Sequence, residues 1–345
     1  MSYEWAVIGA GPAGIAAVGK LLDHGILASK ICWIDEAFKV GDFGTRWANV
    51  PSNTRVELFT RFLQSVRAFD YQAHATDFAL ATLDPTQTCE LNKMAAPLQW
   101  VTQALSRQVH CVTAQAQSLE HKNNGWQIDL KEQIIIAKQV ILANGAEPKT
   151  LNLSNQNILP LHIAMDHEKI LNHIRQDETI GVFGSSHSAI LVLRNLVAAN
   201  VKKIINFYRS PLLYAIYMPE GILFDDTGLK GTTAKWAHDY VDGVLPENLQ
   251  RYYASDENIA KHLPACDKIV YAVGFERKSK PTVQGLSKLN YIEECGIIAP
   301  GLFGFGIAFP EAKYNYLSRK EYRVGLWKFM EYLERVLPIW LNYPS

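Results

Sequence analysis

Residues 4–14 read Glu4-Trp5-Ala6-Val7-Ile8-Gly9-Ala10-Gly11-Pro12-Ala13-Gly14. The apolar run Trp5 to Ile8 has the composition of a strand and stops in a glycine turn, and the apolar stretch Ile15 to Leu22 behind it reads as a helix. A second apolar run, Lys30 to Ile34, closes on Asp35, 21 residues after Gly14. Strand, glycine turn, helix, strand and acid in this order are the parts of a βαβ unit that holds a nucleotide pyrophosphate. Gly9 serves the tight turn, Gly11 lets backbone touch the phosphates, and Gly14 lets the helix lie close on the strand. The amino end of the helix, which includes Pro12 and Ala13, then presents unpaired N–H groups and a positive dipole end to an anion.

The rest of the composition narrows the reading. The 345 residues are 48% hydrophobic and 20% charged, which suits a globular chain of about two domains. Lys plus Arg and Asp plus Glu are 34 each, so no global field draws nucleic acid or an anionic membrane surface, and neither partner is expected. The opening Met-Ser-Tyr-Glu lacks a basic leader, and no stretch approaches 18 uninterrupted apolar residues. A cytoplasmic protein acting on a small-molecule substrate or electron acceptor is the expectation. Cys32, Cys89, Cys111, Cys266 and Cys295 form no CxxC or CxxxxC pair, which argues against a redox-active dithiol. No His, Cys and carboxylate set has ligand spacing apart from a loose pair, His162 and His167, so no metal is expected.

Further along, a helix is expected from Pro97 to Gln108, and a hairpin from Gln115 to Leu130 turning at Lys122 to Gly125. The β-rich run Ile134 to Leu142 ends in Ala143-Asn144-Gly145. A second βαβ start follows: strand Thr179 to Gly184, the turn Ser185-Ser186-His187-Ser188-Ala189, a helix to about Ala199, and strand Lys203 to Tyr208. Asp267 to Val273 reads as another strand, and Tyr291 to Phe309 as returning strand material. Tyr322 to Val336 has its apolar residues at near-helical spacing.

This set of motifs resembles the two-dinucleotide-binding-domain FAD/NAD(P) flavoproteins, the group of thioredoxin-reductase-like enzymes and flavin-containing monooxygenases. The likeness covers nearly the whole chain and is carried by residues 9–14, by Asp35-Glu36 with Val40-Gly41-Asp42, by Ile141 to Gly145, and by Val270 to Phe275. It implies an α/β fold of two Rossmann-like three-layer dinucleotide-binding domains, the NAD(P) domain inserted into the FAD domain. The expected bounds are 1–152 and 286–345 for FAD and 153–285 for NAD(P). By the same resemblance FAD lies on Gly9, Gly11, Pro12, Ala13 and Gly14, Asp35 receives its ribose hydroxyls, and Glu36, Gly41, Ala143, Asn144 and Gly145 belong to the cofactor's surroundings. The loop Phe43 to Thr54 passes the isoalloxazine ring, with Trp47 a stacking candidate and Asn53 a hydrogen-bond candidate for flavin N5. These two are the candidate catalytic residues.

The chain also departs from the pattern. In the second turn, Gly184, Ser185, Ser186, His187 and Ser188 are the NADPH or NADH candidates, but Ser186 replaces the glycine of closest approach. Arg209, just past a strand, stands where a cation accepts an NADP 2′-phosphate. His187 occupies a position that is often Asn. Near the carboxyl end Gly306 is followed by Ile307 rather than Asp, which leaves backbone N–H groups to meet the flavin pyrimidine edge. The expected function is an FAD-dependent NAD(P)H oxidoreductase without a dithiol, either monomer or homodimer. The alternatives are an NADPH-dependent flavin monooxygenase, whose FxGxxxH signature is not intact here, and a catalytically degenerate nucleotide-binding sensor.

Overall fold

The computed structural model describes residues 2–122, 125–151, 153, 157–219 and 221–344, and the chain divides into two compact units. The first comprises Met1–Glu147, Arg277–Tyr314 and Tyr322–Ser345, the second Pro148–Glu276 and Asn315–Glu321.

The first unit is built on strand β1 (Ser2–Ile8), helix α1 (Pro12–Asp23), β2 (Ile31–Asp35), β3 (His110–Thr113) and β4 (Ile134–Leu142). β1 lies at the centre, parallel to β2 with Val7 opposite Trp33 and parallel to β4 with Val7 opposite Ile141; β3 flanks β2 in parallel. Both faces of β1 are buried. Trp5 and Val7 join the core that contains α1, whereas Tyr3, Ala6 and Ile8 join a second core on the other face. A parallel strand covered on both sides explains a near-continuous apolar run where a half-exposed strand would alternate. The expected hairpin forms as Ser118–Lys122 and Gly125–Asp129, its second arm antiparallel to β4; turn residues Asn123 and Asn124 lie outside the described residues. The helix expected from Pro97 spans Asn92–Ser106, with Pro97 inside it.

The second unit repeats the plan with β5 (Thr179–Phe183), α2 (His187–Ala198), β6 (Lys203–Tyr208), β7 (Leu249–Tyr253) and β8 (Lys268–Tyr271). Its sheet runs β7-β6-β5-β8, all parallel.

The chain then returns to the first unit, where β9 (Leu302–Gly304) pairs in parallel with the end of β4 and helix α3 (Leu326–Asn342) packs Phe329, Met330, Leu333 and Trp340 into the core. Trp340 stacks on Phe303 at 5.0 Å and donates to the Cys295 carbonyl at 2.6 Å. The expected boundaries need correction. Residues 277–285 belong to the first unit, because Thr282 and Val283 extend its sheet beside Ser118 and Leu119. Residues 148–151 and 315–321 group with the second unit. The last helix starts later than its spacing suggests, since Lys320–Arg323 is a strand paired with Glu311–Tyr314 and Gly325 takes φ +149° before the helix opens.

That hairpin is held to α3 by charge. Glu311, 7% exposed, takes Arg323 on one oxygen at 3.0 Å and Arg335 on the other at 2.7 Å, and Arg323 also reaches Glu331 at 2.6 Å. Removing one member leaves a part-buried guanidinium short of an acceptor. Glu311→Leu is therefore expected to lower the unfolding free energy by about 3 kcal/mol, measured by urea denaturation against the parent chain.

Candidate functional site

Two glycine turns, one in each unit, are built by the same contacts. Gly9 donates its N–H to Ile34 O at 2.8 Å and Gly184 donates to Phe207 O at 2.9 Å, which ties each turn to the second strand of its own sheet. Ala143 donates to Ile8 O and Ala272 to Phe183 O, each at 2.8 Å, which brings the residue after the fourth strand under the turn. A Cβ on Gly9, at φ +110°, would lie 2.2 Å from Ala143 O; one on Gly184, at φ +126°, would lie 2.3 Å from Ala272 O. No other residue can occupy either position without moving a backbone. Gly14 is equally constrained, since its Cβ would meet Gly9 O at 1.9 Å, whereas the corresponding Ala189 already places its Cβ 3.2 Å from that of a side chain built on Gly184.

Gly11 differs. It has φ −75° and ψ 176°, an extended geometry open to any residue, and a Cβ there would meet nothing within 4 Å. Neither backbone strain nor packing within the chain requires glycine at this position. That is the cradle expected for a pyrophosphate touching backbone at the amino end of α1.

Around this turn, Gly41 lies against it, a Cβ there falling 3.1 Å from Gly11 Cα. Gly306, at φ +80°, sits on the first turn of α1, with Ala13 Cβ 2.6 Å from where its own would be. Ile307 follows in the short 3-10 turn Gly306–Ala308. Asn144 donates from Nδ2 to Lys280 O at 2.7 Å, while its Oδ1 is buried without a hydrogen-bond partner. Gly145 takes φ +77°.

The Asp35 carboxylate is more occupied than its sequence position implies. Oδ2 accepts from Ala10 N at 2.7 Å; Oδ1 accepts from Ala37 N at 2.8 Å and from Phe38 N at 2.7 Å. It braces the glycine turn and keeps one free lone-pair direction on Oδ2. Glu36 is exposed and accepts from Gln115 Nε2 at 2.9 Å.

The segment 43–54, expected as a loop, is structured at both ends: Gly41–Thr45 is helical and Pro51–Arg55 is a strand paired with Thr88–Glu90. Asn53 is exposed on that strand, and Trp47 donates its N–H to Asp42 O at 3.1 Å, closing the helix.

In the second turn, Ser186 caps α2 and is exposed, Ser185 Oγ donates to Ser210 O at 3.0 Å, Ser188 lies in the first turn of the helix, and Arg209 is exposed. His187 is the first helical residue. Its Nδ1 is buried without a hydrogen-bond partner, and burial, reinforced by the charges of Arg194 and Lys230, pushes the imidazole down to about 4. The ring is neutral at physiological pH. Sequence reasoning did not single out Asn206 and Arg251, which meet behind this turn; a buried Asn in an apolar strand was the one available signal.

No protein-family model matches the chain. Monooxygenase AgnR1 of Paecilomyces divaricatus is 34% identical over an alignment of 382 positions that covers 97% of each chain. This chain belongs to the two-dinucleotide-binding-domain FAD/NAD(P) flavoproteins. Among solved structures it is similar in fold to the bacillithiol disulfide reductase of Staphylococcus aureus, with a TM-score of 0.67 at 12% identity over 99% of this chain and 98% of that one. It is also similar in fold to a flavin-containing monooxygenase of Stenotrophomonas maltophilia, with a TM-score of 0.61 at 14% identity over the same shares. The chain is a flavin-dependent oxidoreductase of this family, whose members work in general with flavin and nicotinamide cofactors on small molecules. Among the described residues no helix is long and apolar enough to cross a membrane, and no group of His, Cys, Asp and Glu is arranged to hold a metal ion.

His187 gives the fold a pH dependence of known sign. Its folded pKa of about 4 lies below the ordinary 6.5, so the unfolded chain binds more protons between those values. The stability of the parent chain should fall by up to about 2 kcal/mol between pH 6.5 and pH 5 from this group. His187→Asn should remove that part of the slope, as read from urea midpoints at several pH values.

Proposed function

We propose that this chain is an FAD-dependent NAD(P)H oxidoreductase, with FAD on the first glycine turn, NADPH on the second, and a small-molecule electron acceptor. The observation that carries the reading is Gly11, a glycine that nothing in the folded chain requires, at the mouth of a turn whose other two glycines are fixed by backbone contacts. FAD held there would supply two-electron redox chemistry that the side chains cannot provide. The chain's own residues hold and orient. The N–H groups at the amino end of α1 meet the pyrophosphate, the remaining lone pair of Asp35 meets a ribose hydroxyl, and the unpartnered Asn144 Oδ1 accepts from a cofactor donor. Backbone N–H groups at Ile307 and Ala308 take the pyrimidine edge, Trp47 the ring face, and Asn53 N5.

The preference for NADPH rests on the exit of β6. It reads Tyr208-Arg209-Ser210, with no carboxylate to repel a 2′-phosphate and an exposed Arg209 to attract one. The second turn lacks the middle glycine, so the Ser186 hydroxyl, rather than bare backbone, faces the nicotinamide pyrophosphate. All five cysteines are free thiols. We take the compartment to be the reducing cytoplasm and the assembly to be a monomer or a small homodimer.

A second reading, a flavin monooxygenase, is favoured by the name of the 34% identical relative, whose length the likeness nearly spans. The two differ in the fate of oxygen. With reduced enzyme and isotopically labelled O₂, the oxidoreductase reading expects the label in released hydrogen peroxide, and the monooxygenase reading expects it in an organic product.

Two outcomes test the main reading. Purified protein should be yellow and should bleach faster with anaerobic NADPH than with NADH; failure of both nucleotides to bleach it would remove the proposal. Gly11→Val apoprotein should keep the thermal midpoint of the parent apoprotein, because a Cβ there meets nothing within 4 Å, and the variant should lose at least about tenfold in FAD affinity. A fully loaded yellow variant would show that the pyrophosphate lies elsewhere.

A further inference from the structure

Arg277 is the first residue of the chain's return to the first unit and is half-buried there. Its Nε donates to Ala308 O at 3.1 Å and its Nη1 to Leu289 O at 2.7 Å, while the guanidinium carbon stands 3.9 Å from the centre of the Phe309 ring. Phe309 is itself fixed, filling the space over Gly304, where a Cβ would fall 2.3 Å from its Cγ. Two carbonyls and a ring face thus set the plane of the Arg277 fork. Among the described residues no carboxylate pairs with it. The titratable group within electrostatic reach is Tyr291, its ring centre 5.8 Å away and its hydroxyl spent on Pro310 O at 2.7 Å. Burial pushes the Arg277 pKa down, but a guanidinium stays charged.

A half-buried cation without a counter-ion is costly to keep, and this one is wired into the turn that follows β9. The Ala308 carbonyl belongs to the same peptide unit as the Phe309 N–H, which donates to Gly306 O at 3.0 Å. The Gly306 carbonyl in turn shares its peptide unit with the Ile307 N–H. Hydrogen bonds in series polarise one another, so the Arg277 charge is passed through two peptide units to the Ile307 N–H. Gly306 seats the turn on the first turn of α1, with φ +80° and Ala13 Cβ 2.6 Å from where its own would be. The turn Gly306-Ile307-Ala308 has no charged side chain of its own to offset that field.

We propose that Arg277 is a positioning residue for the redox reaction, a cation without a counter-ion that acts through the turn Gly306–Ala308 on the negative charge a bound flavin gains at its pyrimidine edge on reduction, and so raises the flavin's reduction potential. The proposal rests on the reading that places FAD on the first glycine turn with the Ile307 and Ala308 N–H groups at that edge. A dipole chain fixed by the fold before reduction costs no reorganisation when the charge appears. Arg277 itself touches the turn and not the flavin, so its effect is on the potential and not on the fit of the oxidised cofactor.

The test measures the midpoint potential of FAD on the intact protein during anaerobic titration with dithionite, together with the affinity of the apoprotein for oxidised FAD. Arg277→Met should weaken binding of reduced relative to oxidised FAD about tenfold, which for a two-electron couple is a fall of about 30 mV. Arg277→Gln, which keeps an N–H for the carbonyls but not the charge, should lower the potential as well, whereas Arg277→Lys, which keeps the charge, should lose less than half as much. If the Met variant does not fold, the difference between Gln and Lys carries the test. Equal losses of affinity for oxidised and reduced FAD, at an unchanged potential, overturn the proposal by marking Arg277 as a brace for the turn alone. A Lys variant whose potential falls as far as that of the Gln variant also overturns it. A parent that binds no FAD removes the functional reading and this proposal with it; a parent that binds FAD at a potential the variants do not move removes the role of Arg277 and leaves the functional reading standing.

Discussion

The close approach of a glycine to a carbonyl beneath it is the contact on which the architecture rests. Ala143 O lies where a Gly9 side chain would be, and Ala272 O where a Gly184 side chain would be. Each contact locks the turn over the exit of its fourth strand, and the helix that follows is thereby aimed with its amino end at the crevice above the sheet. Gly14 completes the first lock by letting α1 pass within side-chain distance of Gly9 O. A single methyl group at any of these positions would have to displace backbone, and backbone in the middle of a parallel sheet has nowhere to go without breaking ladder hydrogen bonds.

Given that lock, the electrostatics follow. An anion at the amino end of α1 meets unpaired N–H groups and a favourable dipole, worth of the order of 1 kcal/mol before any side chain contributes. Asp35 sits close by without spoiling this, since both its oxygens are already drawn to the N–H groups of Ala10, Ala37 and Phe38. Within the folded chain it holds the turn in shape. The polar atoms left open are equally telling. Asn144 Oδ1, His187 Nδ1 and Arg251 Nη2 are buried and unpartnered among the described residues, as are Tyr71 Oη, Asn92 Oδ1, Gln139 Oε1 and Tyr271 Oη. Buried polar groups are ordinarily satisfied.

The two turns are unequal copies. The first keeps all three glycines; the second keeps its lock at Gly184 but has Ser186 at the point of closest approach and Ala189 in place of the third glycine. Ala189 is accommodated because Gly184 carries no side chain, a Cβ there falling 3.2 Å from that of Ala189, whereas Ser186 puts a hydroxyl at the cap of α2. His187 adds a neutral ring among the charges of Arg194 and Lys230. The second turn thus offers side chains where the first offers bare backbone.

The sequence by itself determined the sheet-forming units, because the physics involved is local. An apolar run, a glycine turn and an apolar helix specify a βαβ unit through side-chain periodicity and allowed φ and ψ, and β4 and β6 span the residues expected from their composition. What only the tertiary structure decided depends on partners distant in the chain. Thr282 and Val283 join the first unit by pairing with residues more than 160 positions earlier, and Tyr322 lies in a strand rather than a helix because Glu311–Tyr314 offers it an edge. Gly11 is distinguished from Gly9 and Gly14 only by the empty space around it. The Arg251 fork acquires its meaning from Asn206 on the adjacent strand, 45 residues away in sequence. Spacing along a chain encodes torsion angles and faces; which groups meet, and which are left without a partner, is fixed only when the sheet assembles.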